Sequence, residues 1–225
     1  SITYLTRQTM NKTKLRLSLL LLGSLALGSC SRSGGNEFTA EGTITDAAGK
    51  TLYLETTDTD EPQLIDSVTL DEKGRFRFRR EAHSYPAFYR LRLGESFIPF
   101  AADSLTHLTL SASGKDLFST YKIESGDEAN KQIREIGQLR TATDKAIEAI
   151  LTQLNNGTLE RGVALARIDS LSTQLKNTLT SKYIFSDPKG AAAYYALFQS
   201  YLGGTYFSID HPGDDRAFAA VATAY

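Results

Sequence analysis

Cysteine is nearly absent from this sequence, because Cys30 is the only cysteine among 225 residues. A single thiol cannot form an intramolecular disulfide or carry two-electron dithiol exchange. The hydrolase motif Gly-x-Ser-x-Gly and the zinc-protease motif His-Glu-x-x-His are both missing from the sequence as well. We therefore predict no catalytic residue, no cofactor and no metal site in this chain, and we expect its stability to come from packing.

A long apolar run is also lacking. The longest run, residues 17–27, is about half of the roughly 20 residues that a membrane-spanning helix needs. Basic residues precede it, and small residues separate it from Cys30. This order predicts a cleaved secretory signal. The alternative is a core helix in which Cys30 is buried and inert.

Residues 27–30 resemble the lipobox of bacterial lipoproteins, in which an aliphatic residue and two small residues precede a cysteine. Leu27, Gly28, Ser29 and Cys30 match this order. The resemblance implies that the Cys30 thiol carries diacylglycerol, that a peptidase cuts just before Cys30, and that the membrane is a partner of this chain through the lipid. Ser31 resembles the signal for sorting to the outer membrane. The lack of an acidic run after Cys30 resembles lipoproteins that face the periplasm.

The pattern divides the chain into five segments. Residues 1–9 are an upstream extension, 10–29 the lipoprotein signal peptide, 30–36 the lipidated cysteine with a flexible tether, 37–125 a β domain, and 126–225 a helical connector that we expect to be truncated. Four basic and no acidic residues precede Cys30, so cleavage changes the formal charge from −1 to about −5. This acidic balance argues against a nucleic-acid partner.

Residues 37–125 show the two-residue period of half-buried strands. Further strands are expected at 52–54, 87–93, 96–101 and 105–111. Residues 64–70 and 75–79 flank a turn that contains Gly74, so we predict that they pair as a hairpin. In the second of these strands Phe76 and Phe78 share the core face, and three arginines share the other face.

The period changes to that of amphipathic helices near Gly126. The first helix is predicted to end at residues 155–157, and Thr158 to cap the second, whose apolar stripe consists of Leu165, Ile168, Leu171, Leu175 and Leu179. A third helix is predicted from an Asp187 cap to Gly203, with a buried face of Ala191, Ala192, Tyr195, Phe198 and Leu202. The fold class is therefore α+β with segregated parts, in which an antiparallel β sandwich or partly open barrel precedes a helical hairpin or bundle.

Four stretches, 38–44, 49–55, 65–68 and 74–78, resemble the N-terminal β domain of thioredoxin-like thiol:disulfide interchange lipoproteins. In that family a lipobox is followed by a β domain of unknown function, a helical connector and a thioredoxin-like domain. The resemblance covers residues 38–123 well and the connector only in outline. No Cys-x-x-Cys exists in this chain, so the family's redox chemistry has no residue here.

Three weaker patterns resemble parts of binding sites. Gly49-Lys50-Thr51 imitates the end of a phosphate-binding loop, but it lies between strands and lacks the first glycine of that motif. His83, His107 and His211 are not spaced as metal ligands, and we expect separate surface residues. The acidic residues 58–61 lack the glycine and glutamate of a calcium loop, so they indicate a solvated loop.

Two functional classes remain open. In the first, the chain is a lipid-anchored accessory or binding module of the cell envelope, without catalysis, that holds a protein partner or its own C-terminal domain near the membrane. In the second, it is the front half of a thiol:disulfide oxidoreductase whose thioredoxin-like domain lies beyond Tyr225. Whether the whole protein is an enzyme depends on that choice.

Overall fold

Eight strands form the N-terminal part of the chain in the computed structural model, which describes residues 35–201 and 204–224. The strands alternate between buried and exposed side chains over much of their length, as half-buried strands do. They are β1 (Glu37–Thr45), β2 (Thr51–Thr56), β3 (Gln63–Thr69), β4 (Arg75–Glu81), β5 (Ala87–Leu93), β6 (Ser96–Ala102), β7 (His107–Ser113) and β8 (Lys122–Ile123).

These strands form two sheets of four. The first sheet has the order β4-β1-β7-β8, and the second has the order β3-β2-β5-β6. All neighbours are antiparallel except β1 and β7, which run parallel. The predicted α+β class with the β part first is confirmed, and the β part is a pair of sheets rather than a closed barrel.

One apolar cluster joins the two sheets. It contains Phe38, Phe76 and Phe78 from the first sheet, and Leu91 and Phe100 from the second. The predicted core face of residues 75–79 is confirmed, since both phenylalanines are buried while the arginines between them face solvent. The exposed arginines pair with acidic neighbours: Arg75 with Asp71, Arg77 with Glu41 and Arg79 with Glu37.

The predicted hairpin between residues 64–70 and 75–79 is wrong. Strand β3 pairs with β2, and β4 pairs with β1, so the two strands belong to different sheets. The intervening turn moves the chain from one sheet to the other, and Gly74 adopts a φ of 71° there. A side chain at Gly74 would collide with the carbonyl of Ile44. Alternation predicts which residues of a strand face the core, but it does not predict the partner strand.

The described residues contain five α-helices, which are α1 (Leu117–Thr120), α2 (Glu128–Asn155), α3 (Arg161–Leu179), α4 (Ala191–Leu197) and α5 (Asp215–Ala222). Helix α1 lies between β7 and β8 in the N-terminal part, and the other four form most of the C-terminal part. A π-helical turn, Thr180–Ile184, follows α3, and a small hairpin of β9 (Ser200–Tyr201) and β10 (Gly204–Thr205) lies between α4 and α5. Helix α2 packs against α3. Within the described ranges, no helix is long and apolar enough to cross a membrane.

The first helix of the connector ends where it was predicted to end, but the second helix does not start at the predicted cap. Helix α2 ends at Asn155, and Gly157 follows with a φ of 69°. Helix α3 is capped by Glu160, whose carboxylate accepts from the backbone N–H of Val163, instead of by Thr158. The Thr158 hydroxyl donates to the carbonyl of Gln153, so it caps the end of α2 and is not available to α3.

The apolar stripe of α3 is only partly buried. Leu175 and Leu179 are buried, Ile168 and Leu171 are half-buried, and Leu165 is exposed. The C-terminal half of α3 packs with the start of α2, where Ile133 and Ile136 lie in the same cluster. The stripe therefore has a full set of packing partners only in the half of the helix that lies against the helical core.

The predicted third helix is shorter than its pattern. Helix α4 begins after Gly190 instead of Asp187 and ends at Leu197, before the β9–β10 hairpin. Ala191 and Ala192 are buried as expected and Tyr195 is half-buried, but Phe198 is 51% exposed, and Leu202 lies outside the described residues. The cap prediction was wrong because the Asp187 carbonyl closes a turn with the N–H of Gly190 before the helix starts.

A side chain of α2 connects the helical part to the second sheet. Asn130 is buried, and its amide both donates to the Ala101 carbonyl and accepts from the Ala101 N–H, each at 2.8 Å. This pair of bonds imitates a neighbouring strand at the edge of β6. Pro99 of the same strand has no N–H to donate, so further strand pairing is disfavoured there. Residues 36–225 form one compact unit.

Candidate functional site

A cleft lies between the outer face of the second sheet and the end of α4. It consists of two adjoining cavities of about 460 and 290 Å³ that share Tyr195, Phe198 and Gln199. The larger cavity is bounded by the β5–β6 turn, α1 and α2, and the smaller one by β5, β6 and the loop after β2. Small-molecule and peptide sites commonly occupy such junctions between structural parts.

Strand alternation places the aromatic residues of the sheet in this cleft. In β5 and β6 the residues Tyr89, Ile98 and Phe100 face the core, so Phe88 and Phe97 project from the opposite face. The two-residue turn between these strands uses Gly94 at a φ of 61°. The sheet therefore presents two large apolar rings where a solvated face would carry polar residues.

The helical side of the cleft contributes further rings. Tyr194 and Phe198 lie four residues apart, and their ring centroids are 4.7 Å apart. The ring of Tyr194 also stacks on Phe88 at 5.3 Å, and Phe198 meets Phe218 edge-on at 6.4 Å. These four rings form what we call the aromatic ladder, which runs from β5 across α4 to α5.

Gly137 of α2 allows the walls of the larger cavity to come together. A Cβ atom at this position would lie 2.9 Å from the ring of Phe118 and 3.8 Å from the hydroxyl of Tyr195. Glycine inside a helix costs about 1 kcal/mol relative to alanine. The contact with the Tyr195 hydroxyl would be an ordinary one, so it is the close approach of the Phe118 ring that favours glycine here.

Polar groups lie among the rings. Arg140 donates from Nη1 to Asp144 at 2.8 Å, and the Tyr206 hydroxyl donates to the same carboxylate at 2.9 Å. Gln199 is buried and donates from its side-chain amide to the carbonyl of Tyr195. Burial raises the pKa of Tyr195, so its hydroxyl stays protonated at neutral pH. The cleft thus combines aromatic walls with a few fixed hydrogen-bonding groups.

The buried carboxylates outside the cleft are paired with basic side chains, as carboxylates with a structural role are. Burial acts to raise the pKa of Glu55, but hydrogen bonds from Arg92 and Arg90 outweigh it and hold the pKa below its usual value. The Asp214 pKa is lowered in the same way, against its burial, by the hydrogen bond from Lys176. Both stay ionised at neutral pH, whereas a general acid needs a raised pKa.

The weaker sequence patterns occupy separate positions. Gly49 and Lys50 lie in the turn between β1 and β2 and Thr51 begins β2, and the Gly49 N–H donates to the carbonyl of Leu70. His83 stacks on Tyr85, the His107 ring lies 3.0 Å from the Thr39 hydroxyl, and that of His211 lies 3.7 Å from Asp214. Over residues 35–201 and 204–224, no three His, Cys, Asp or Glu side chains group as metal ligands.

The structure describes the cleft but not the predicted lipidation site. Leu27, Gly28, Ser29 and Cys30 lie outside the described residues, so lipidation stays a prediction.

The cleft was missed by sequence reasoning, which treated Phe198 as a core residue. The signal was present in part, since aromatic side chains at outward positions of β5 and β6 break the alternation of apolar and polar residues.

No family model matches the chain, and no curated protein matches it. The function proposed below therefore depends on the sequence pattern and on the geometry of the cleft.

Proposed function

We propose that this chain is a lipid-anchored binding module of the bacterial cell envelope, held at the outer membrane and facing the periplasm. The cleft carries the binding role, because it exposes aromatic rings beside fixed hydrogen-bonding groups. The anchoring role is supported by the match of residues 27–30 to the lipobox. In this proposal the lipid on Cys30 restricts the module to the membrane surface, and the cleft holds the partner there.

A photo-crosslinking experiment tests the binding role in cells. A photoreactive phenylalanine analogue would replace Phe198, which is 51% exposed in the cleft, and in a control chain it would replace Leu105, which is 84% exposed on the β6–β7 turn. We expect adducts that form only from position 198. Identical adducts from both positions would contradict a binding role for the cleft.

A second function is favoured by the order of the segments. A lipobox, a β domain and a helical part in that order resemble the front half of thioredoxin-like thiol:disulfide oxidoreductases. In this case the catalytic thioredoxin-like domain lies beyond Tyr225, and the residues present serve as its membrane-anchored support. The coding sequence after the Tyr225 codon tests this candidate, because it predicts an open frame with a Cys-x-x-Cys motif, whereas a stop codon would contradict it.

A further inference from the structure

One end of the β part carries two exposed apolar side chains. The β4–β5 loop and the β6–β7 turn lie side by side there, because the start of β5 pairs with the end of β6 and the Ser104 N–H donates to the His83 carbonyl at 3.0 Å. Leu105 in the turn is 84% exposed, the highest value for a large apolar side chain in the described part of the chain, and Tyr85 in the loop is 57% exposed. Turns favour glycine, proline and small polar residues, so turn chemistry alone does not explain a leucine there.

The β6–β7 turn holds Leu105 on a closed backbone. The Asp103 carboxylate accepts from the Leu105 N–H at 2.9 Å, and the Asp103 carbonyl accepts from the Thr106 N–H at 3.1 Å. In the neighbouring loop the ring of Tyr85 stacks on His83, with 4.8 Å between the ring centroids. Because the turn is already closed, little backbone freedom is lost when the leucine is covered.

The chain leads from this same end toward Cys30. The Asn36 carbonyl accepts from the Ala82 N–H at 2.6 Å, and the Thr39 N–H donates to the Thr106 carbonyl at 3.1 Å, so the start of β1 contacts both the loop and the turn. Six residue steps separate Asn36 from Cys30. Since an extended chain spans at most about 3.6 Å per residue, a lipid on Cys30 is attached within about 20 Å of this end.

The loops at this end are acidic. The β2–β3 loop also lies there, because the end of β2 pairs with the start of β5. The three connections, residues 57–62, 82–86 and 103–106, contain no lysine or arginine and four acidic residues: Asp58, Asp60, Glu61 and Asp103. The two arginines near the end of β4 both form ion pairs, Arg79 with Glu37 and Arg80 with Asp66. An anionic surface would therefore repel this end, whereas a surface without net charge would not.

We propose, on the basis of the lipid anchor proposed above, that this end lies against a zwitterionic membrane surface, with the Leu105 and Tyr85 side chains in the interfacial region of the bilayer. Leucine gains from burial of its apolar surface, and tyrosine is enriched at membrane interfaces because its ring is apolar and its hydroxyl is polar. Two side chains alone bind a membrane weakly. The anchor makes their contact intramolecular, so even a weak contact is formed.

This orientation keeps the larger cavity of the cleft away from the bilayer. Its border at the β5–β6 turn lies at the other end of β6, a strand that is roughly 20 Å long. The photoreactive analogue at position 105 would then meet lipid, so protein adducts are still expected from position 198 alone.

Tryptophan fluorescence tests the inference, because the chain contains no tryptophan and a single introduced one reports its own surroundings. Leu105→Trp places the probe in the β6–β7 turn, and Glu95→Trp is the matched control in the exposed β5–β6 turn. Both lipidated chains would be inserted into vesicles of phosphatidylcholine and phosphatidylethanolamine with brominated acyl chains, which quench a nearby tryptophan. We expect at least about twofold quenching of Leu105→Trp, relative to unbrominated vesicles, and none of Glu95→Trp.

Two changes to this experiment test the contact itself. Tyr85→Ser in the Leu105→Trp chain should weaken the quenching, because one of the two side chains in the interface is lost. Replacing half of the lipid by phosphatidylglycerol should also weaken it at low salt, because the acidic loops are repelled. Stronger quenching with phosphatidylglycerol would contradict the choice of a zwitterionic surface.

The vesicle fraction distinguishes failure of this inference from failure of the anchor. Equal quenching of the two probes, or no quenching of either, in vesicles that retain the lipidated chains would overturn the inference and leave the anchor standing. Recovery of both lipidated chains outside the vesicle fraction would contradict the anchor and the inference together.

Discussion

Neighbouring residues of β4 alternate between the buried core and the solvent. Substitutions in this strand therefore test directly which of its faces is buried. The side chain of Phe78 is buried in the cluster between the sheets and lies 6.2 Å from Phe76, measured between ring centroids. The side chain of Arg77 is 66% exposed and pairs with Glu41 at 3.4 Å. Burial of apolar surface stabilises the fold far more than an exposed ion pair does.

We therefore expect Phe78→Ala to lower the free energy of unfolding by about 3 to 5 kcal/mol, because it removes a buried ring and leaves a cavity. Arg77→Ala is the matched control and should cost less than about 1 kcal/mol. Urea unfolding of the purified chain measures both. Similar losses for the two variants would mean that β4 does not bury the face assigned to it.

At the scale of single residues, the sequence predicted which strand residues face the core, but it did not predict the cleft. Alternation assigned Phe76 and Phe78 to the core correctly, because burial follows the period of one strand. Phe198 was assigned to the core on helical period alone, but the helix ends at Leu197 and the ring lies at the surface. The missing information is tertiary, since the position of a ring depends on which elements surround it.

Among the elements, α2 and β6 are joined by two hydrogen bonds between one side chain and the backbone. The Asn130 amide replaces a neighbouring strand for Ala101, and Ala101 in turn lies in the apolar cluster of the helical part. The ends of helices could be predicted only approximately from the sequence. The true cap of α3, Glu160, lies two residues from the predicted Thr158, because the threonine hydroxyl was used by the preceding turn. Local preference cannot decide between two nearby capping residues.

Replacing Asn130 tests this joint. We expect Asn130→Ala to lower the free energy of unfolding by about 2 to 4 kcal/mol, because the buried N–H and carbonyl of Ala101 both lose their partner. The control Asn177→Ala, on an exposed face of α3, should cost less than about 0.5 kcal/mol. If thermal or urea unfolding showed equal stability for Asn130→Ala and the wild type, the joint would carry no stabilising role.

Over residues 35–201 and 204–224, one apolar cluster lies between the sheets and another lies in the helical part. The fold class could be predicted because the change from a two-residue period to a helical period near Gly126 is long and regular. The pairing of β1 with β7 and the separation of β3 from β4 could not, since strand partners depend on contacts distant in sequence.

The proposed role as a whole depends on attachment to the membrane through Cys30. The most direct measurement is labelling of the chain by a fatty-acid probe in a bacterial host, with membrane fractionation of the same cells. We expect the wild type to be labelled and to fractionate with membranes, and Ser31→Ala, outside residues 27–30, to keep the label. Cys30→Ala should lose the label and accumulate as an uncleaved precursor, because the thiol that forms the thioether is gone. Equal labelling of wild type and Cys30→Ala would contradict the account.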